Sequence, residues 1–258
     1  MQVSDFSPAT RAGLLPQRKA AVHRRTPRRK AKNERGKTAT LWSAPVLWRF
    51  EGTHSCYFKP QVPITQNMST QTKREVFRQL HESGCFAIPN PWDIGSARYL
   101  QHLGFKAIAT TSAGYAFSRG LSDGAVKRDE MLTHIKELVD ATDIPVNADF
   151  ENGYADEPND LAESVRLCVA TGVAALSIED AMERKESRLY DISLAVERIR
   201  AAREAIGDSG VLLVGRAEGF LVGRENIDQV IKRLVAYSEA GADCLYAPGF
   251  EEREDLKR

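Results

Sequence analysis

The chain has 258 residues, 42% hydrophobic and 28% charged, which is the composition of a folded globular protein. That composition excludes a wholly disordered chain and a disulfide-stapled miniprotein, and no run of about 18 apolar residues is present to form a membrane-spanning helix. The formal net charge of +1 is a cancellation: residues 1–40 carry eleven Lys and Arg against Asp5 and Glu34, a net of +9, and the remainder carries a net of −8.

The basic arm comes first. Arg24-Arg25 and Arg28-Arg29-Lys30 flank Pro27, and no apolar periodicity accompanies them. A solvated, disordered extension over 1–67 is the expectation. Charge alone would allow a nucleic-acid tether, but no aromatic residues interleave the cations and no recognition motif follows, so no nucleic-acid partner is expected. An Arg-rich, acid-poor arm also suits organelle targeting. Without an apolar core it is not a secretory signal, and the expected location is cytoplasmic unless the arm redirects the chain. Met68 opens "MSTQTKREVFRQL" and reads as an alternative start, with the folded body running over 68–258.

From Thr70 the pattern alternates helix and strand. Helix 71–83 precedes the short apolar run "CFAI". Helix 94–103 ends at Gly104 and leads to "KAIAT". Helix 129–142, with Met131, Leu132, Ile135, Leu138 and Val139 on one face, leads to "IPVNA". Helix 158–171 opens on Pro158, a favoured first-turn residue, and leads to "AALSI". Helix 192–206 leads to "VLLV", and helix 225–240 leads to "CLYA". Six nearly all-apolar strands alternating with helices predict a parallel sheet covered by helices.

Polar residues gather after every strand, as a barrel's active face requires, rather than at one switch point. Neither G-x-G-x-x-G nor a P-loop is present, which removes the main support for dinucleotide or nucleotide binding. The cysteines show no C-x-x-C spacing. Cys168 and Cys244 lie in apolar runs and read as small buried residues, and free thiols fit a reducing compartment. His81, His102 and His134 fall in helical patterns with no metal-ligand spacing, and surface or packing roles are expected.

The strand ends carry the chemistry. Asp149 and Glu151 follow the third strand, Glu179 the fourth, and Asp123 lies in the loop after the second. Each alone reads as a solvated loop acid. Together at one barrel mouth they would repel unless they shared a cation, and all-oxygen ligation favours a hard ion such as Mg²⁺. Arg216 ends "VLLVGR" and is either a structural partner of Glu179 or Glu218, or a clamp for a substrate carboxylate. A divalent metal beside a fixed positive charge suits a small anionic substrate passing through an enolate-like state.

The segments "PNPWDIGSARYLQHLGFKAIATTSAGYA", "VNADFENGYAD", "ALSIEDA" and "VGRAEGFLVG" resemble the isocitrate lyase/phosphoenolpyruvate mutase superfamily over about residues 72–250. The resemblance implies a (β/α)8 TIM barrel of the phosphoenolpyruvate mutase type, bound Mg²⁺, and lyase or mutase chemistry on small 2-oxo or 2-hydroxy acids. It also implies a homo-oligomer where the barrel is complete. It implies metal contacts from Asp149, Glu151 and Glu179, with Glu151 standing where the family motif has Asp. Substrate contacts fall on Thr111, Ser112, Ala113 and Arg216, and catalytic roles on Arg216, Glu179 and Asp123. The family's lyases carry K-K/R-C-G-H after the I-E-D strand, whereas Met182–Tyr190 here holds neither Cys nor His. Thiol-dependent cleavage is therefore disfavoured. An oxaloacetate-decarboxylase-like C–C lyase is the expectation, with P–C chemistry and a catalytically impaired fragment as alternatives. Arg184, Lys185 and Arg188 in that loop are candidates to cover an anion, or are simply exposed. Only "FEEREDLKR" follows Gly249, so the barrel is expected to stop after strand six with an open edge.

Overall fold

The computed structural model describes residues 68–182, 189–223 and 226–249. The basic arm and the residues Arg184, Lys185 and Arg188 lie outside the described residues. No described helix is long and apolar enough to cross a membrane.

The helices form where periodicity and caps agree. Helix α1 (Thr70–Leu80) starts at Ser69, whose hydroxyl accepts the Thr72 N–H. Helix α2 (Ile94–His102) is opened by a reciprocal capping box between Asp93 and Ser96. Helix α4 (Arg128–Ala141) buries Met131, Ile135, Leu138 and Val139 of the face read from the sequence and leaves Leu132 half-buried. Helices α5 (Pro158–Ala170), α6 (Ile192–Ile206) and α7 (Ile227–Glu239) likewise bury one face each. Asn226 and Gln229 cap α7 reciprocally.

Five strands follow in order: β1 (Ile108–Ala109), β2 (Val146–Asp149), β3 (Ala175–Glu179), β4 (Leu212–Arg216) and β5 (Cys244–Tyr246). Every pairing is parallel, and the spatial order β1-β2-β3-β4-β5 equals the chain order. A doubly wound sheet reverses its order at a switch point. This one never reverses, so it is an open section of a (β/α) barrel. Its central core packs Ile135, Leu138, Val146, Leu161, Ile178, Ile199 and Leu213 between strands and helices.

Three expectations are corrected. The run Cys85–Ile88 is not a strand. Pro89 and Pro91 follow it and have no N–H to give a ladder, so a single backbone bond, Ala109 N–H to the Pro89 carbonyl at 3.0 Å, ties the segment to the sheet. Phe86 and Ile88 pack instead against the cluster of Phe77, Ala107, Ala174, Ala175 and Leu212. The described sheet thus has five strands, not six. Next, Ser112–Ser118 is a short helix, α3, capped by the Thr111 side chain, where a loop was expected. Last, Cys168 is buried as read, but Cys244 is only partly so. Cys244 lies on β5, whose only strand partner among the described residues is β4.

Helix α1 lies at the end of the sheet where the strands begin. Phe77 packs with Ala107, Ala174 and Leu212, each at or just before the start of a strand. Lys73 donates to the carbonyls of Val139 and Thr142 at the end of α4. Arg74 donates to Val169 and Val173 at the end of α5, at 3.1 and 3.0 Å, and to Ser209 after α6 at 2.8 Å. Cations at helix C-termini satisfy orphan carbonyls and oppose the helix dipole.

His134 belongs to the packing of α4. Its ring stacks on Tyr115 with centroids 3.8 Å apart, and its Nε2 is buried without a partner. Burial lowers its pKa from 6.5 to about 4, with Asp93 opposing. The unfolded chain therefore binds the proton first, and folding stability falls as pH drops from about 6.5 toward about 4. Urea unfolding across that range should show a shallower loss in His134→Phe than in the wild type. Equal slopes would show that His134 is not the titrating group.

Candidate active site

The C-terminal ends of the strands bring the acidic residues together. Asp149 closes β2. Its N–H donates to Thr110 Oγ1 at 2.9 Å, and its Oδ2 accepts both the N–H and the hydroxyl of Ser112 at 2.9 Å each. Its other oxygen, Oδ1, meets Arg216 Nη1 at 3.2 Å. Arg216 closes β4 directly opposite Glu179 in the β3–β4 register. Its Nε lies 3.5 Å from Glu179 Oε2 and also donates to Glu218. The Tyr246 ring on β5 lies 5.5 Å from the guanidinium. One cation thus serves three carboxylates on three chain segments.

Glu151 follows two residues beyond Asp149 with a left-handed backbone, φ 48°. Its carbonyl accepts the Glu179 N–H at 3.0 Å and its carboxylate accepts the Tyr154 hydroxyl at 2.8 Å. A cleft of about 310 Å³ opens here, lined by Ser112, Asp123, Glu151, Glu179, Arg216 and Glu218, with Met182 and Leu221 as apolar wall. Asp123 reaches it from a turn in which its own side chain accepts the Gly124 N–H at 3.0 Å. Thr111 is occupied as the α3 cap, accepting from Gly114 N–H at 3.1 Å, and neither it nor Ala113 lines the cleft.

The electrostatics follow from crowding. Burial, reinforced by Glu218, Asp149 and Glu151, pushes the Glu179 carboxyl up to about 8, against the pull of Arg216. Burial also raises Glu218. Burial would lower Arg216, but Glu179, Asp149 and Glu218 outweigh it and hold the guanidinium above its ordinary value.

Glu218 was not among the site residues read from the sequence. The signal was available: it stands two residues past Arg216, as Glu151 stands two past Asp149. Asp180 is a second omission. Its Oδ1 accepts the Glu218 N–H at 2.8 Å and its Oδ2 accepts the Tyr237 hydroxyl, so it fixes the backbone beyond β4. Among the described residues no three His, Cys, Asp or Glu side chains converge as a ready ligand set. The donor chemistry nonetheless fits a hard cation, because Asp149, Glu179 and Glu218 surround one arginine, Glu151 lines the same cleft, and all offer oxygen.

A parallel strand-helix sheet with its polar groups on the C-terminal edge is the active face of a barrel-type enzyme. Residues 77–258 match the phosphoenolpyruvate phosphomutase family, and the chain belongs to it. It is 30% identical over 178 residues to the 2-methylisocitrate lyase of Bacillus subtilis (strain 168), covering 66% of this chain and 58% of that enzyme. It is 30% identical over 198 residues to the oxaloacetate decarboxylase of Pseudomonas putida (strain GB-1), covering 74% of this chain and 67% of that one. Among solved structures, a provisionally assigned lyase/mutase of Burkholderia cenocepacia J2315 is 48% identical with a TM-score of 0.70, over 72% of this chain and 69% of that one. The chain therefore spans less than two thirds of the Bacillus relative's length.

Arg216→Met should leave Asp149, Glu179 and Glu218 without their shared counter-charge. Loss of one partner from a largely buried charge cluster costs about 3 kcal/mol, readable as a lower urea midpoint. Arg216→Lys should lose less. An unchanged midpoint in Arg216→Met would mean the carboxylates do not depend on the guanidinium.

Proposed function

We propose that this chain is an Mg²⁺-dependent carbon–carbon lyase or decarboxylase acting on a small 2-oxo or 2-hydroxy carboxylic acid. The observation that carries this reading is Arg216, held at the centre of the strand-end carboxylates beside a cleft sized for a small acid. The relatives' own names, 2-methylisocitrate lyase and oxaloacetate decarboxylase, support the same reaction class.

Arg216 is the residue to bind a substrate carboxylate and to stabilise the negative charge that develops on an enolate-like state. Ser112 lines the same cleft and holds the Asp149 carboxylate there with its backbone N–H and hydroxyl. Asp123 and Glu179 both line it, and they are the groups assigned in this reading to take or return a proton. Asp149, Glu151 and Glu179 would hold the cation, in part through water, as Mg²⁺ keeps several of its waters. When bound, the cation supplies a Lewis acid to substrate oxygens. Met182 and Leu221 give the cleft one apolar wall that excludes water from one side. Met182–Tyr190 holds no thiol, which disfavours a cysteine acid from that loop.

Pyruvate release from a panel of 2-oxo and 2-hydroxy diacids, with Mg²⁺ and with chelator, tests the reading. Asp149→Ala and Arg216→Ala should each lower turnover about a hundredfold or more, the scale of losing one preorganised electrostatic group. Turnover that persists in either variant, or that ignores chelation, would sink the assignment.

A further inference from the structure

The loop after β2 places two residues other than glycine in the left-handed region, Glu151 at φ 48° and Tyr154 at φ 59°. Such backbone is unfavourable and persists only where the surroundings over-determine it. The restraint converges on one side chain. Arg198 of α6 is 1% exposed. Its Nη1 donates to the carbonyls of Ala155 and Asp156, and its Nη2 donates to the carbonyl of Asn152. The guanidinium lies 4.1 Å from the centre of the Tyr190 ring. Tyr190 donates its hydroxyl to Asp156 and accepts from Asn152 Nδ2 at 3.0 Å. Asn152 Oδ1 takes the Tyr154 N–H at 2.9 Å, and the Tyr154 hydroxyl ends on Glu151 at 2.8 Å. The chain of bonds thus runs from a buried helix to a carboxylate of the cleft. Arg198 itself does not line that cleft.

We infer that Arg198 is a positioning residue: its guanidinium, spanning the carbonyls of Asn152, Ala155 and Asp156, holds the loop in the turn that presents Glu151 to the cleft and so sets cation affinity. The planar fork of arginine can reach three carbonyls from a fixed plane, whereas a lysine ammonium is a single point on a flexible stem. Among the described residues no carboxylate is hydrogen-bonded to Arg198: its three hydrogen bonds end on backbone oxygens of this one loop.

This role presupposes the metal-dependent reading of the site, so the test separates the two. Amide hydrogen exchange over residues 150–156 and Mn²⁺ binding followed by electron paramagnetic resonance are measured on the full chain, in wild type, Arg198→Met and Arg198→Lys. In Arg198→Met the loop amides should exchange at least tenfold faster while β3 and β4 stay protected, and the Mn²⁺ dissociation constant should rise roughly tenfold, the scale of losing a partner that orients a metal ligand. Arg198→Lys should recover part of both. If Arg198→Met does not fold, Arg198→Lys carries the same two readings. Loop exchange unchanged, or raised equally throughout the chain, overturns the inference. So does a loosened loop with unaltered Mn²⁺ affinity. Wild-type protein that binds no Mn²⁺ defeats the metal-dependent reading and, with it, the claim on affinity; the exchange data then decide the loop claim alone.

Discussion

Arg216 is the charge on which the strand-end site rests. Asp149 pairs with Ser177 in the β2–β3 register, and Glu179 lies two residues further on, opposite Arg216. The carboxylates are therefore staggered along the sheet edge, and a single guanidinium reaches one with Nη1 and the other with Nε. Taking such charges out of water is costly, and only close pairing offsets it. Three acids compete for that one cation, and the cost that remains is visible in Glu179, whose carboxyl is held well above the usual carboxylate range. Surplus negative charge, one fixed positive group and an open cleft are the features on which the proposed binding of a cation and a small anion rests.

The helices behind the sheet hold the backbone that carries these groups. Asp180 receives the Glu218 N–H and the Tyr237 hydroxyl of α7, so the segment after β4 is tied to the outer layer. Arg233, also on α7, donates to the Tyr190 carbonyl at 3.0 Å. Tyr190 N–H returns to the Asp180 carbonyl at 2.9 Å. These contacts are buried, so each polar group has its partner in the protein rather than in water. The precision of the site is thus built by residues that never touch its cleft.

Much of this was legible in the sequence, and the parts that were not share a cause. Apolar faces such as Met131, Ile135 and Leu138 announce a helix because periodicity is local. Gly104, expected as a helix stop, takes a left-handed φ of 91°. The acids Asp149, Glu151 and Glu179 stood out because they interrupt apolar strands at their ends. Cys85–Ile88 misled because its apolar content suits a strand, while the missing donors lie just beyond it in Pro89 and Pro91. Ser112–Ser118 was missed because seven residues give too short a window for helical rhythm. Lys73, Arg74 and Arg198 were invisible for another reason. A charged residue on a helix reads as solvent-facing until the fold brings distant carbonyls to it.

The bonds of α1 bear on the order in which the chain assembles. Lys73 reaches a carbonyl 66 residues on, and Arg74 reaches one 135 residues on. Contacts of such separation are slow to form because a long loop must close first. During synthesis α1 leaves the ribosome among the earliest parts of the folded body, yet its carbonyl partners emerge last at Ser209. Until then its Phe77 face can meet Ala107 and Ala174 but still lacks Leu212 at the start of the fourth strand. The helix that closes the bottom of the sheet is made before every strand it covers, and its seat is complete only when the fourth strand arrives to receive it.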